Sequence, residues 1–173
     1  VSSDALGHSV PQALPAAAMK AADLGLVGVA AEVAADFEVA FPDAVFTSGR
    51  RSVAEQAEAM ACNVVLNRAW IRETYVPSRV SAACQTWVDT VPQPVNHANI
   101  AAGLARVLSG FSDAELARLS LHMGGGAFDV SPATVSDEAQ AWLVARAAKE
   151  GGRVLFREGG LRRVHAQFPP VTL

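Results

Sequence analysis

The sequence predicts an α+β fold, a small and mostly antiparallel sheet with flanking helices. Three observations lead there. Helical stretches dominate the chain, single β-type runs interrupt them at 44–47 and 127–130, and two late runs at 153–156 and 164–168 face each other across a glycine turn as a hairpin would. The resulting order is helix, strand, helices, strand, helix and then two strands. That is not the regular alternation of a parallel doubly wound sheet.

Taken in order, residues 1–15 carry Ser, Gly, Pro11 and Pro15, and read as a surface segment ahead of a single domain over 16–173. Residues 16–41 turn rich in Ala and Val and read as helical, closed by Pro42-Asp43; the apolar run 24–35 reads as buried. Ala44-Val45-Phe46-Thr47 is a short strand ending at Ser48-Gly49. Ser52 is then an N-cap with Glu55 as its capping-box partner. Val53, Ala57, Met60, Val64 and Ile71 follow at helical spacing, which predicts one long helix to about Glu73. Pro77, Pro92 and Pro94 make 74–96 a loop holding a short helix near 81–87. Helices resume at 98–108 and, after Ser112, at 113–119. Gly124-Gly125-Gly126 precedes the strand 127–130, and Ser136 caps a helix to Glu150 that Gly151-Gly152 ends.

Composition removes several function classes. Apolar residues make up 51% of 173 residues and charged residues 18%, enough for a real core and too little charge for a disordered chain. A net charge of −3 argues against a protein held on nucleic acid by phosphate contacts, or on a membrane by basic residues. No run reaches the roughly 18 apolar residues of a membrane span. Lys20 and Lys149 are the only lysines among 14 cationic residues, so the charge chemistry is that of arginine, a planar fork for carboxylates. Cys62 and Cys84 have no CxxC partner, which excludes a thiolate zinc ribbon and leaves one disulfide or two thiols open; Cys62, inside the long helix, is expected to be buried. His8 and His97 read as surface residues, and Trp70, Trp87 and Trp142 as core or its cover.

The chemistry gathers around one segment, Ser120-Leu121-His122-Met123-Gly124-Gly125-Gly126-Ala127-Phe128-Asp129. An imidazole stands before a glycine turn and a carboxylate just after it, on a strand. Folded back, they face one point and offer two zinc ligands; His165, in the last apolar strand, is the natural third. Three protein ligands leave a fourth tetrahedral position for water, the catalytic arrangement. No GxSxG elbow surrounds Ser120, so it reads as support for the site. The glycines lack the lysine and the context of a phosphate-cradling loop.

Ser120-x-His122-x-x-Gly125-x-Ala127-x-Asp129 resembles the SxHxxGxAxD signature of the zinc D-Ala-D-Ala carboxypeptidase and peptidoglycan endopeptidase family, which includes VanX- and VanY-like enzymes and phage endolysins. Ser48-Gly49-Arg50-Arg51, before a helix containing Gln56, resembles the family's SGxR segment. Val164-His165-Ala166-Gln167-Phe168 resembles its late histidine strand. The three stand in the family's order over residues 44–168.

The resemblance implies a hedgehog/D,D-peptidase-like fold, a Zn2+ cofactor held by His122, Asp129 and His165, and substrate contact through Arg51 or its neighbour Arg50. The implied partner is the peptidoglycan stem peptide, cut next to a D-amino acid by a monomer working outside the cytoplasm. One departure stands out. Where many relatives carry a glutamate three residues before the last histidine, this chain has Arg162; where others carry a histidine two residues before it, it has Arg163. Glu158, ahead of Gly159-Gly160, is the nearest upstream carboxylate and is expected to reach back as general base. The rival from another class is a non-catalytic zinc-stabilised module of a phage particle or cell envelope. A metal-dependent hydrolase of some other amide would share the same ligands.

Overall fold

A computed structural model describes residues 19–93, 96–158 and 161–169, so the segment 1–15, His8 and the turn at Gly159-Gly160 lie outside the described residues. The α+β expectation holds. Four strands, β1 (Phe46–Ser48), β2 (Ala127–Val130), β3 (Arg153–Glu158) and β4 (Leu161–Gln167), form one antiparallel sheet in the order β1-β2-β4-β3. Seven α-helices accompany it among the described residues.

Side-chain alternation splits the sheet's two faces into different chemistries. Phe128, Val130, Val164 and Ala166 are buried against α1 (Gly28–Ala40) and α7 (Asp137–Lys149). In α1, Ala30, Val33, Ala34 and Phe37 fall at i, i+3, i+4 and i+7, one stripe of the helix, and fill that face. The residues in between, Asp129 and His165, therefore lie on the other face, and the register sets them directly opposite each other.

The remaining helices build a second buried cluster. In α2 (Val53–Val64), α3 (Trp70–Thr74), α4 (Arg79–Thr90), α5 (His97–Leu108) and α6 (Asp113–Leu119), the side chains of Met60, Ile71, Cys84, Ile100 and Leu104 are all fully inside. So the buried side chains fall into two groups, one under the sheet and one among helices, with the loop from α6 to β2 crossing between them.

Three secondary-structure expectations and one of burial are corrected. The helical stretch 16–41 is broken: a 3-10 turn at Ala21–Leu24 ends at Gly25, whose φ of 62° is left-handed, and α1 starts only at Gly28. The long helix 53–73 is two helices. The Asn67 side chain accepts the Ala69 N–H and donates to Glu73, restarting the chain at Trp70, while Arg68 Nη2 donates to the carbonyls of Val88 and Val91 at the end of α4. The expected loop 74–96 contains the full twelve-residue α4. Pro77 and Pro92 flank it without interrupting it, and Ser78 caps it with Ser81. The capping boxes at Ser52/Glu55 and Ser112/Glu115 and the cap at Ser136 stand as read. Both cysteines are free thiols, Cys84 buried and Cys62 exposed, so the burial expected of Cys62 is wrong.

Candidate metal centre

The centre is assembled from four segments. His122 comes from the loop after α6, Asp129 from the middle of β2, His165 from β4, and the Ser48-Gly49-Arg50-Arg51 turn closes over them between β1 and α2. All three ligand candidates are buried, at 4%, 6% and 6% exposure. His165 Nδ1 lies 2.8 Å from Asp129 Oδ1 and 3.2 Å from His122 Nε2; His122 Nε2 lies 3.3 Å from Asp129 Oδ2. A tetrahedral zinc with bonds of about 2.0–2.1 Å has ligand atoms about 3.3 Å apart, so these spacings are already near those of a coordination shell.

The hydrogen bonds around the triad decide which nitrogen each ring presents. His122 Nδ1 is 2.7 Å from the Gly49 carbonyl, which only accepts; the ring therefore donates there and keeps its Nε2 lone pair for the centre. Gly49 is required for this approach. A Cβ at that position would stand 2.3 Å from the Leu24 carbonyl oxygen. The turn on the other side depends on Gly125, which has φ 74° and whose carbonyl accepts the Val27 N–H at 3.0 Å.

His165 is governed by Gln167, two residues on and on the same face. The Gln167 amide lies between His165 Nε2 and Arg153 and can stand either way. With its oxygen on Arg153 (2.9 and 3.2 Å), its nitrogen donates to His165 Nε2 at 3.2 Å, and the ring proton sits on Nδ1, shared with Asp129. With its oxygen on His165, it accepts the Nε2–H at 3.2 Å and leaves the Nδ1 lone pair to a metal. A cation at the triad would favour the second orientation, whereas without one the contacts to Arg153 favour the first.

Asp129 carries the charge of the site. Burial pushes its pKa up, but hydrogen bonds from His122 and His165 and their charge outweigh this and hold the carboxyl far below the usual carboxylate range. Arg51 adds to the same end. Its Nη2 donates to Asp129 Oδ2 at 2.9 Å and its Nε to Ser48 Oγ at 3.0 Å, so it grips the ligand itself. The donor set is two imidazoles and a carboxylate of fixed orientation, and it fits a divalent metal such as Zn2+.

The other expected site residues are placed as follows. Arg50 is exposed, and with Arg51, Asp23, Asp113 and Met123 it lines a cavity of about 420 Å³ beside the triad. Ser120 is the C-cap of α6, two residues before His122, where its backbone N–H bonds Leu116 and its carbonyl accepts from Met123. Glu158 is not brought to the triad by the strand register. It ends β3 opposite Leu161, four positions along β4 from His165, or about 13 Å of strand; its side chain lies outside the described residues.

Gly49 and Gln167, read in the sequence only as members of the Ser48–Arg51 and Val164–Phe168 motifs, are the supporting residues whose roles went unassigned. The signals were a glycine inside a motif and an amide two positions from a candidate ligand on a strand. Comparisons of the chain with family models, with curated proteins and with solved structures find no match.

Proposed function

We propose that this protein is a zinc-dependent peptidase acting on the peptidoglycan stem peptide, at an amide bond next to a D-amino acid, outside the cytoplasm. The observation that carries the reading is the triad: two imidazole nitrogens and a carboxylate, buried, 2.8–3.3 Å apart and oriented from outside by Gly49 and Arg51. The three motifs shared with the D-Ala-D-Ala carboxypeptidase and endopeptidase family add the substrate class. The cavity at Arg50 and Arg51 provides room for a peptide; Asp23, Glu55 and Asp113 line it too, and since Arg51 is held on Asp129, exposed Arg50 is the guanidinium it offers to a substrate carboxylate.

Zinc held there would supply Lewis-acid polarisation of the amide carbonyl and acidification of water near neutral pH. The chain's own part is separable from that. His122, His165 and Asp129 bind, with Asp129 kept ionised; Arg51 holds Asp129 in one orientation; Arg50, exposed at the cavity, meets the substrate. A general base contributes about 10²- to 10⁴-fold; Glu158, the residue expected in that role, ends β3 about 13 Å of strand from His165 and would have to be brought back to the centre to fill it.

A second reading, a non-catalytic zinc-stabilised module of a phage particle or cell envelope, is favoured by the same strand. Arg162 stands where a base is expected, and the backbone of Glu158 is at the hairpin end. Mass spectrometry of fragments released from purified peptidoglycan by the zinc-loaded protein separates the two. His122-dependent release supports the peptidase. Free D-alanine then names a carboxypeptidase, and a new D-glutamate amino terminus names an L-alanyl-D-glutamate endopeptidase. Folded, zinc-containing protein that releases nothing supports the module. Glu158→Gln that retains both zinc and full turnover removes Glu158 from the mechanism.

A further inference from the structure

Away from the candidate centre, three reactive side chains of the helical half meet at one nitrogen. Cys62 and Glu58 stand one turn apart on α2, and His97 opens α5, which packs along α2. His97 Nε2 lies 3.3 Å from Cys62 Sγ and 3.4 Å from Glu58 Oε1. The group is open to solvent, with Cys62 and Glu58 exposed and His97 half-buried. The other thiol of the chain, Cys84, is wholly inside.

A proton count at Nε2 separates this thiol from an isolated surface cysteine. A neutral ring with a bare Nε2 accepts the S–H but turns the same lone pair toward the Glu58 carboxylate. A neutral ring with Nε2–H donates to Glu58 and leaves the thiol without its acceptor. Once the thiol proton moves onto Nε2, one N–H stands between two acceptors, a thiolate and a carboxylate, and both contacts are satisfied. The thiolate is the nucleophilic form of cysteine. The arrangement is not that of a cysteine hydrolase, whose base is oriented through its second nitrogen. Among the described residues His97 Nδ1 has no hydrogen-bond partner, and Glu58 approaches the nitrogen that the thiol already uses.

From this we propose that Cys62 is a site of reversible S-thiolation, a thiol that takes up half of a small aliphatic disulfide carrying ammonium groups. In the step, Cys62 Sγ gives its proton to His97 and attacks one sulfur of RS–SR. A new S–S bond to Cys62 forms as the RS–SR bond breaks, and the leaving thiolate recovers the proton as RSH. Cys62 is oxidised and the departing half is reduced, so no further oxidant enters. Cys84 is sealed in the core, so no second thiol of the native chain displaces the attached group, and the mixed disulfide is the end product. The charge preference comes from Glu58. With His97 protonated, the thiolate and Glu58 together leave one negative charge in excess beside the sulfur, which draws in a cation and repels a carboxylate.

The test is the rate at which the full chain, in EDTA at neutral pH, forms a mixed disulfide with cystamine and with dithiodiglycolate, followed by intact mass and mapped to peptides. A free thiol is only a few per cent ionised at neutral pH, so full proton transfer raises the thiolate about thirtyfold, and the lower nucleophilicity of that thiolate takes back part of the gain. His97→Ala and His97→Gln should therefore each slow Cys62 about three- to tenfold, although glutamine keeps a polar group at the position. Glu58→Gln should slow the reaction with cystamine and narrow its lead over dithiodiglycolate. Glu32→Gln, on an exposed position of α1, changes net charge equally and should leave both rates within about twofold. Continued protection of Cys84 reports an intact fold in each variant. Wild-type rates in the His97 variants, faster reaction with the dianion than with cystamine, an equal effect of Glu32→Gln, or a Cys62–Cys84 disulfide as the product would overturn the inference. No residue of the metal centre takes part, so failure here is distinct from failure of the peptidase reading.

Discussion

Gln167 offers the sharpest test of how the centre is tuned, because two substitutions at it should move metal affinity in opposite directions. For His165 Nδ1 to face a metal, the proton must sit on Nε2, and the only acceptor for it among the described residues is the Gln167 oxygen at 3.2 Å. Gln167→Met removes that acceptor. A buried donor without a partner costs about 1–3 kcal/mol. Gln167 is half-buried, so water recovers part of this, and about 1.4 kcal/mol, or tenfold in Kd, is expected. That lies at the lower end of the 10- to 100-fold typical of groups behind a metal ligand. Gln167→Glu should act oppositely. Arg153 reaches this side chain at 2.9 and 3.2 Å, and a carboxylate can accept from Arg153 with one oxygen and from His165 with the other. The amide must choose between them. Zinc affinity measured by competition with a chromophoric chelator should fall in the Met variant and rise in the Glu variant. Wild-type affinity in Gln167→Met, or equal weakening in both, would refute the tautomer argument.

Four further outcomes follow from the same contacts. Arg51→Met leaves Asp129 Oδ2 without its guanidinium and should lower stability by about 1–3 kcal/mol in urea unfolding, with added zinc restoring part of the loss. Asp129 is held below its unfolded-chain value of about 3.9. Its stabilisation is therefore complete above that pH and declines as pH falls below it, an acid limb that Asp129→Asn should flatten in unfolding curves taken against pH. Burial pushes the Cys84 thiol up to about 12, so native protein should react with a thiol reagent at Cys62 alone and denatured protein at both; stability should decline above about pH 8.5, where the unfolded Cys84 ionises, and Cys84→Ala should remove that decline. Gly103→Ala would place a methyl group 1.8 Å from Trp87 Cζ2, and overpacking of about 1–3 kcal/mol should exceed the helix-propensity gain of about 1 kcal/mol, lowering Tm.

Two of the triad's residues were legible because their chemistry is local in the sequence, and His165 because its strand resembles a known motif. His122 and Asp129 are separated by one glycine turn, and the capping serines at 52, 112 and 136 announced the helices beside them. What escaped is non-local. The break after Val64 depends on Asn67 and on Arg68 reaching the end of α4, neither of which disturbs the apolar spacing that predicted a continuous helix. Proline content made 74–96 look like loop, although Pro77 and Pro92 stand just outside α4, where proline is harmless. Cys62 looked buried because its helix is amphipathic, yet it belongs to the exposed side, next to His97 and four residues from Glu58. Arg51 was expected to meet substrate and is found on Asp129, a contact spanning 78 residues that no motif spacing encodes.

The long spacing within the triad has a thermodynamic consequence. His165 is 36 residues from Asp129 and 43 from His122, and the β2–β4 register that unites them exists only once α7 has crossed from one strand to the other edge of the sheet. An unfolded chain thus presents scattered single donors, whereas the native one presents a chelate. Any ion the triad takes up acts as ballast for the folded state, adding about 2.7 kcal/mol when free metal is a hundred times Kd. The melting temperature of this protein would then be a gauge of the free metal around it, rising with the logarithm of its concentration.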